Sequence, residues 1–155
     1  MPLLFPVNAI FSPILNKTAP RPARYAGVML PRPVSLILLV DNDPEFAYLI
    51  ERYCGMIHWE MAWAASADDA LAEIEHRRPA MILLNLLLPP EGGWKVLRAL
   101  KNTAAGSGLP VTVYSSIPDE ERALSEGADF CLWKPVMFEE FVAALEAADL
   151  LAPPA

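Results

Sequence analysis

The chain has 155 residues, 54% hydrophobic and 20% charged, enough apolar material for one core of ordinary size and too much for a disordered chain. Its net charge of −7 is unevenly spread: residues 1–34 carry Lys17, Arg21, Arg24 and Arg32 with no acid, which leaves −11 on residues 35–155. A folded part that acidic repels a phosphate backbone, so nucleic-acid binding is not expected of it; no apolar run reaches the roughly 18 residues of a membrane span, and the cytoplasm is the expected compartment.

Residues 1–34 hold seven of the sixteen prolines, and each proline removes a backbone donor and disfavours helix at the residue before it. An irregular, basic arm is expected there, with translation from Met29 as the alternative. From Ser35 the pattern becomes regular. Leu36 to Val40 is an all-apolar run that suits a strand buried on both faces of a parallel sheet. Asp43-Pro44-Glu45 opens a helix, with Asp43 as N-cap, proline at a position that needs no donor, and Glu45 at the positive end of the dipole. Phe46, Leu49, Ile50 and Tyr53 share one face of that helix, and Gly55 is its expected stop.

The alternation then repeats: strand His58 to Ala64, helix Ala67 to Arg77, strand Ala80 to Leu84, and a helix from about Gly93 to Lys101. Pro110 to Tyr114 reads as the fourth strand, Asp119 to Ser125 as a helix of about two turns, Phe130 to Trp133 as the fifth strand, and Phe138 to Leu150 as the last helix. Residues 35–150 therefore form one domain, followed by a short tail, 151–155. Five strands alternating with five helices predict an α/β fold, a three-layer doubly wound (βα)5 unit whose ligands gather at the carboxyl ends of the strands. Cys54 and Cys131 lie in apolar stretches and read as reduced core residues. Trp94 and Trp133 read as packing residues rather than partner anchors, and His58 and His76 lack ligand-like spacing.

Polar residues follow three strands: Asp41-Asn42-Asp43, Asn85 and Ser115; Lys134-Pro135 follows the fifth. In a flavodoxin-like strand order of 2-1-3-4-5 they converge on one crevice. Here the sequence resembles the receiver domain of two-component response regulators, the CheY-like family, over roughly residues 35–150. The resemblance runs through Leu38-Leu39-Val40-Asp41, Ile82-Leu83-Leu84-Asn85 with Pro89 and Gly93 beyond it, Pro110-Val111, Tyr114-Ser115, Gly127-Ala128-Asp129 and Leu132-Trp133-Lys134-Pro135.

That resemblance implies that Asp41 matches the first residue of an acidic pair that holds Mg²⁺ and Asn42 the second. It puts Asn85 where the phospho-accepting aspartate belongs, Ser115 where a hydroxyl detects the phosphoryl group, and Lys134 where an ammonium pairs with it. Cys131 stands where a Phe or Tyr normally turns inward on activation. A carboxamide is a far poorer nucleophile toward phosphorus than a carboxylate, so Asn85 is not expected to be phosphorylated. Three carboxylates against one lysine give an intact pocket a formal −2 that a hard divalent cation neutralises, whereas Asp41 against Lys134 leaves about zero. At roughly 4 Å and an effective dielectric near 20 that pair attracts by on the order of 4 kcal/mol before desolvation. Lys134 is expected to turn toward Asp41, and Mg²⁺ to bind weakly or not at all; Asp43, committed to helix capping, is the remaining acid.

The expected function is therefore that of a stand-alone pseudo-receiver in phosphorelay signalling, not an enzyme and without a cofactor. Its partner in trans would be a histidine kinase, another regulator or an output protein, with a homodimer through the face of the fourth helix, fifth strand and fifth helix as a further option. Alternatives are a receiver controlled by another ligand or phosphosite, Ser115 or Asp43, and a haloacid-dehalogenase-type phosphatase using Asp41 and Asp43. An FMN-binding flavodoxin is disfavoured because an acidic turn repels the phosphate.

Overall fold

The computed structural model describes residues 35–89, 93–103, 108–116 and 119–152. The proline-rich residues 1–34 and the end of the tail, 153–155, lie outside the described residues, as do 90–92, 104–107 and 117–118. In chain order the elements are β1 (Leu36–Val40), α1 (Pro44–Met56), β2 (Glu60–Ala64), α2 (Ala67–Arg77), β3 (Met81–Asn85), α3 (Gly93–Asn102), β4 (Val111–Ser115), α4 (Glu120–Ser125), β5 (Phe130–Trp133) and α5 (Phe138–Ala147). The strands form one parallel sheet in the order β2-β1-β3-β4-β5, the doubly wound arrangement expected of the βα rhythm.

Strand periodicity sorts the core into two layers. Leu36, Leu38, Val40, Ile82, Leu84, Val111 and Val113 pack against α2, α3 and α4 through Ala70, Ile74, Val96, Leu97, Leu100 and Ala123. The alternate residues Ile37, Leu39, Met81, Leu83 and Tyr114 pack against α1 and α5 through Ala47, Ile50, Cys54, Phe141, Ala144 and Leu145. β1 and β3 are buried along their whole length, which is why both read as unbroken apolar runs. Each such side chain contributes about 1.5–3 kcal/mol by leaving water. Among the described residues, no helix is long and apolar enough to cross a membrane.

The helix starts follow local chemistry. Asp43 caps α1 by accepting from the Glu45 N–H at 2.9 Å, and Ser66 caps α2 by accepting from the Asp69 N–H at 3.2 Å. The end of α1 departs from expectation. Gly55 lies inside the helix, and the chain turns at His58, whose φ is 59°. His58 N donates to Gly55 O and Trp59 N to Cys54 O, a Schellman ending that needs one left-handed residue. That turn delays β2 to Glu60. Asp149 closes α5 the same way with φ 60°, and Gly127 closes α4 with φ 110°.

Gly93 positions the site. Its N–H donates to Leu86 O at 2.8 Å, and a Cβ built on it would stand 2.2 Å from Asn85 O and 2.8 Å from Leu86 Cα. The start of α3 thus rests directly on the backbone that carries Asn85. Gly93→Ala is expected to cost about 2 kcal/mol by overpacking, measured as a lowered urea midpoint with an unchanged slope.

Candidate functional site at the strand ends

Asp41 follows β1 and is fully buried. Its backbone is fixed from both sides: its N–H donates to Ala64 O at 3.1 Å, and its carbonyl accepts from Trp63 Nε1 at 2.6 Å. The carboxylate has three donors. Oδ1 accepts from the Asp43 N–H at 3.1 Å and from Asn85 Nδ2 at 3.2 Å, and Oδ2 accepts from the Tyr114 hydroxyl. A carboxylate out of water needs such donors, because its lost hydration is otherwise uncompensated. Asn85 is satisfied at its other end, where Oδ1 accepts from the Leu87 N–H at 2.9 Å.

Sheet register explains why these groups meet. Val40 pairs with Leu84, so Asp41 comes alongside Asn85, and Asn85 pairs directly with Tyr114. All three have the parity that faces α1 and α5. Ser115 has the opposite parity. It is buried and lines a small crevice with Leu86, Val113, Asp119, Glu120, Cys131 and Trp133 beneath α4. The strand ends therefore bring Asp41, Asn85 and Tyr114 into one hydrogen-bonded row, while Ser115 and Cys131 share the crevice on the other face. Asn42 and Asp43 are exposed at the mouth.

Lys134 forms no ion pair with Asp41. The residue is exposed, and its ammonium lies 5.4 Å from the Tyr114 ring centre and 6.0 Å from that of Phe46. The Lys134 N–H donates to Ser115 O at 3.0 Å, and the following peptide, Lys134-Pro135, is cis. The physical reason for the correction is desolvation. Carrying an ammonium to a buried carboxylate costs several kcal/mol, whereas the phenol of Tyr114 supplies a donor with no charge to strip of water. Lys134 instead keeps its charge at the surface above two aromatic faces.

Tyr114 is the residue that reasoning from the sequence missed. A hydroxyl-bearing aromatic in an otherwise aliphatic and β-branched strand was the available signal, and the period of two already put it on the face of Asp41. Its ring packs on Phe46 with centroids 4.6 Å apart. Burial, the hydrogen bond to Asp41 and the charges of Asp41 and Asp43 push its pKa far up, so the phenol stays a donor. The Cys131 thiol is pushed up to about 12 by burial and by Glu120, and Cys54 to about 12 by burial and by Glu51. Both are free thiols held in the protonated, unreactive form at neutral pH.

Other residues singled out from the sequence take structural places. Trp94 is half-buried with the Arg122 guanidinium 4.0 Å above its ring, a contact that joins α3 to α4 together with the Arg98–Glu126 ion pair at 2.6 Å. Trp133 is half-buried at the rim of the crevice, and His58 and His76 are exposed. Among the described residues no three His, Cys, Asp or Glu side chains cluster as metal ligands. The donor set matches a divalent cation poorly: both oxygens of Asp41 already accept hydrogen bonds, and its neighbours Asn42 and Asn85 are carboxamides.

Two outcomes follow from this geometry. Tyr114→Phe is expected to destabilise the fold by about 1–3 kcal/mol, because a buried carboxylate loses a donor, whereas Lys134→Met should fall within about 0.5 kcal/mol, both read from urea denaturation. A phenol whose pKa is higher folded than unfolded adds stability that is complete below the unfolded value and is lost as pH rises through the folded one. Stability should therefore fall above pH of about 10 by up to about 1.4 kcal/mol per pH unit from this group. The fall should be shallower in Tyr114→Phe when melting is followed against pH.

Comparison with known proteins agrees with this architecture. Residues 37–146 match the family model described as the response regulator receiver domain. Transcriptional regulatory protein PrrA of Mycobacterium tuberculosis is 34% identical over 124 residues, covering 78% of this chain and 51% of PrrA. Probable transcriptional regulatory protein TcrX of the same organism is 30% identical over 114 residues, covering 72% of this chain and 48% of TcrX. The chain thus spans about half the length of these curated relatives. Among solved structures, the chemotaxis protein CheY4 of Vibrio cholerae superposes with a TM-score of 0.69 at 19% identity, covering 75% of this chain and 99% of CheY4, a likeness of fold. With a family model matched from Ile37 to Glu146, across the whole sheet but the first residue of β1 and every described helix but the last residue of α5, the chain belongs to the response regulator receiver domain family.

Proposed function

We propose that this receiver domain is a pseudo-receiver: a module of two-component signalling that binds a partner signalling protein without being phosphorylated. The observation that carries the reading is the side chain at the end of β3. Asn85 occupies the acceptor position with a carboxamide, and both ends of that amide are engaged, by Asp41 and by the Leu87 N–H. Forming an acyl phosphate needs a carboxylate oxygen to attack phosphorus, and an amide oxygen whose lone pairs are shared with nitrogen is a far poorer nucleophile. The domain is accordingly proposed to be no enzyme and to bind Mg²⁺ weakly or not at all.

Receiver domains interact with kinases and other regulators, and the partner proposed here is one of these. The named relatives are transcriptional regulators, but the match covers about half of each, so their DNA-directed output does not carry over. A net charge of −11 on residues 35–155 also argues against a nucleic-acid surface on the folded part. The competing phosphosites fare worse on geometry. Ser115 is buried on the face away from Asp41, and Asp43 is committed to capping α1. A phosphatase built on Asp41 would need that carboxylate open to substrate, whereas it is fully buried and accepts three hydrogen bonds.

Acetyl phosphate with Mg²⁺ is the direct test. Intact-mass analysis is expected to show no phosphorylated species, and tryptophan fluorescence no change on adding donor or beryllofluoride. A phosphorylated form of the wild-type chain would overturn the proposal.

A further inference from the structure

We propose that the Tyr114 hydroxyl closes the cation site from within, so that restoring the two absent carboxylates does not by itself restore Mg²⁺ binding. This rests on the pseudo-receiver reading and deepens it by naming a third silencing residue, one that no comparison of acidic positions would reveal. The hydroxyl of Tyr114 starts on β4, passes over β3 and donates to Asp41 at the end of β1. That reach spans two strand spacings of about 4.8 Å each. A serine, threonine or cysteine at position 114 is too short to make it, and an aliphatic residue or phenylalanine has nothing to donate.

The ring is held where it lies. Tyr114 is fully buried, Phe46 packs against it at 4.6 Å, and the Lys134 ammonium stands 5.4 Å from its centre on the mouth side. For Asp41 to turn an oxygen to a cation, the phenol must give up its acceptor while fully buried. The remaining carboxylate oxygen is taken up by the Asp43 N–H and Asn85 Nδ2. Replacing Asn85 by aspartate removes the second of these donors and leaves the phenol in place. Asn42→Asp adds a carboxylate at the exposed mouth and likewise leaves Oδ2 occupied.

The test compares two variants of the full chain, Asn42→Asp/Asn85→Asp and the same pair with Tyr114→Phe, each titrated with MgCl₂ by calorimetry. Trp63, whose Nε1 donates to the Asp41 carbonyl, supplies a fluorescence readout of the same site. The triple variant is expected to bind Mg²⁺ about tenfold or more tightly than the double, the factor set by leaving a buried donor unpaired. Lys134→Met in the double background should give no such gain. Should the phenylalanine variant not fold, Tyr114→Leu is used in its place, and circular dichroism and melting establish the fold of each protein first. Equal affinity in the double and triple variants, or no binding in either, overturns the proposal. Phosphorylation of the wild-type chain by acetyl phosphate would instead sink the underlying reading, whichever way the titration falls.

Discussion

A carboxylate placed at the end of a fully buried strand has no water to turn to, and the arrangement around Asp41 is the protein's answer to that constraint. The Asp43 amide, the Asn85 carboxamide and the Tyr114 phenol converge on its two oxygens, and Trp63 fixes the carbonyl of the same residue. Each donor comes from a different part of the fold: the β1–α1 turn, β3, β4 and β2. The carboxylate therefore ties the strand ends together, and the start of α1 depends on it as well, because the Asp43 that donates to it also caps that helix. Three neutral donors meet that constraint without burying a second charge.

The two-layer arrangement gives that substitution its consequences. Parity separates the strand ends, so Asp41, Asn85 and Tyr114 share the α1/α5 side, while Ser115 and Cys131 share the side of α4. Phosphoryl sensing in the family joins an acceptor to a hydroxyl and an aromatic that turns inward. In this chain the aromatic hydroxyl belongs to β4 and is bonded to the acid, while β5 offers a protonated thiol near Glu120 O. α4 is also joined to α3 by the Trp94–Arg122 stack and by the Arg98–Glu126 pair. A surface ion pair of this kind contributes little stability; the stack of a guanidinium on an indole sets how the two helices lie together.

Lys134 shows how charge bookkeeping on a sequence misleads. Counting formal charges pairs it with Asp41, and Coulomb attraction alone favours that outcome. Desolvation reverses it, because a neutral phenol already aligned by sheet register meets the carboxylate without burying a second charge. An exposed cation remains at the mouth, lying over Tyr114 and Phe46.

What the sequence by itself determined is the part governed by local periodicity and local chemistry. The all-apolar runs of β1 and β3, the Asp43 cap, the α2 bounds from Ala67 to Arg77 and the doubly wound parallel sheet could be read from residue patterns, as could the carboxamides at positions 42 and 85, whereas the strand order came from likeness to a flavodoxin-like fold. The end of α1 escaped that reading, because a left-handed His58 rather than Gly55 does the turning. Tertiary structure alone decided which donor reaches Asp41. That choice depends on register between β1, β3 and β4, on the length of a phenol relative to strand spacing, and on the cost of dehydrating an ammonium. Those quantities exist only once residues far apart in sequence, 41 and 114, stand on the same face of one sheet.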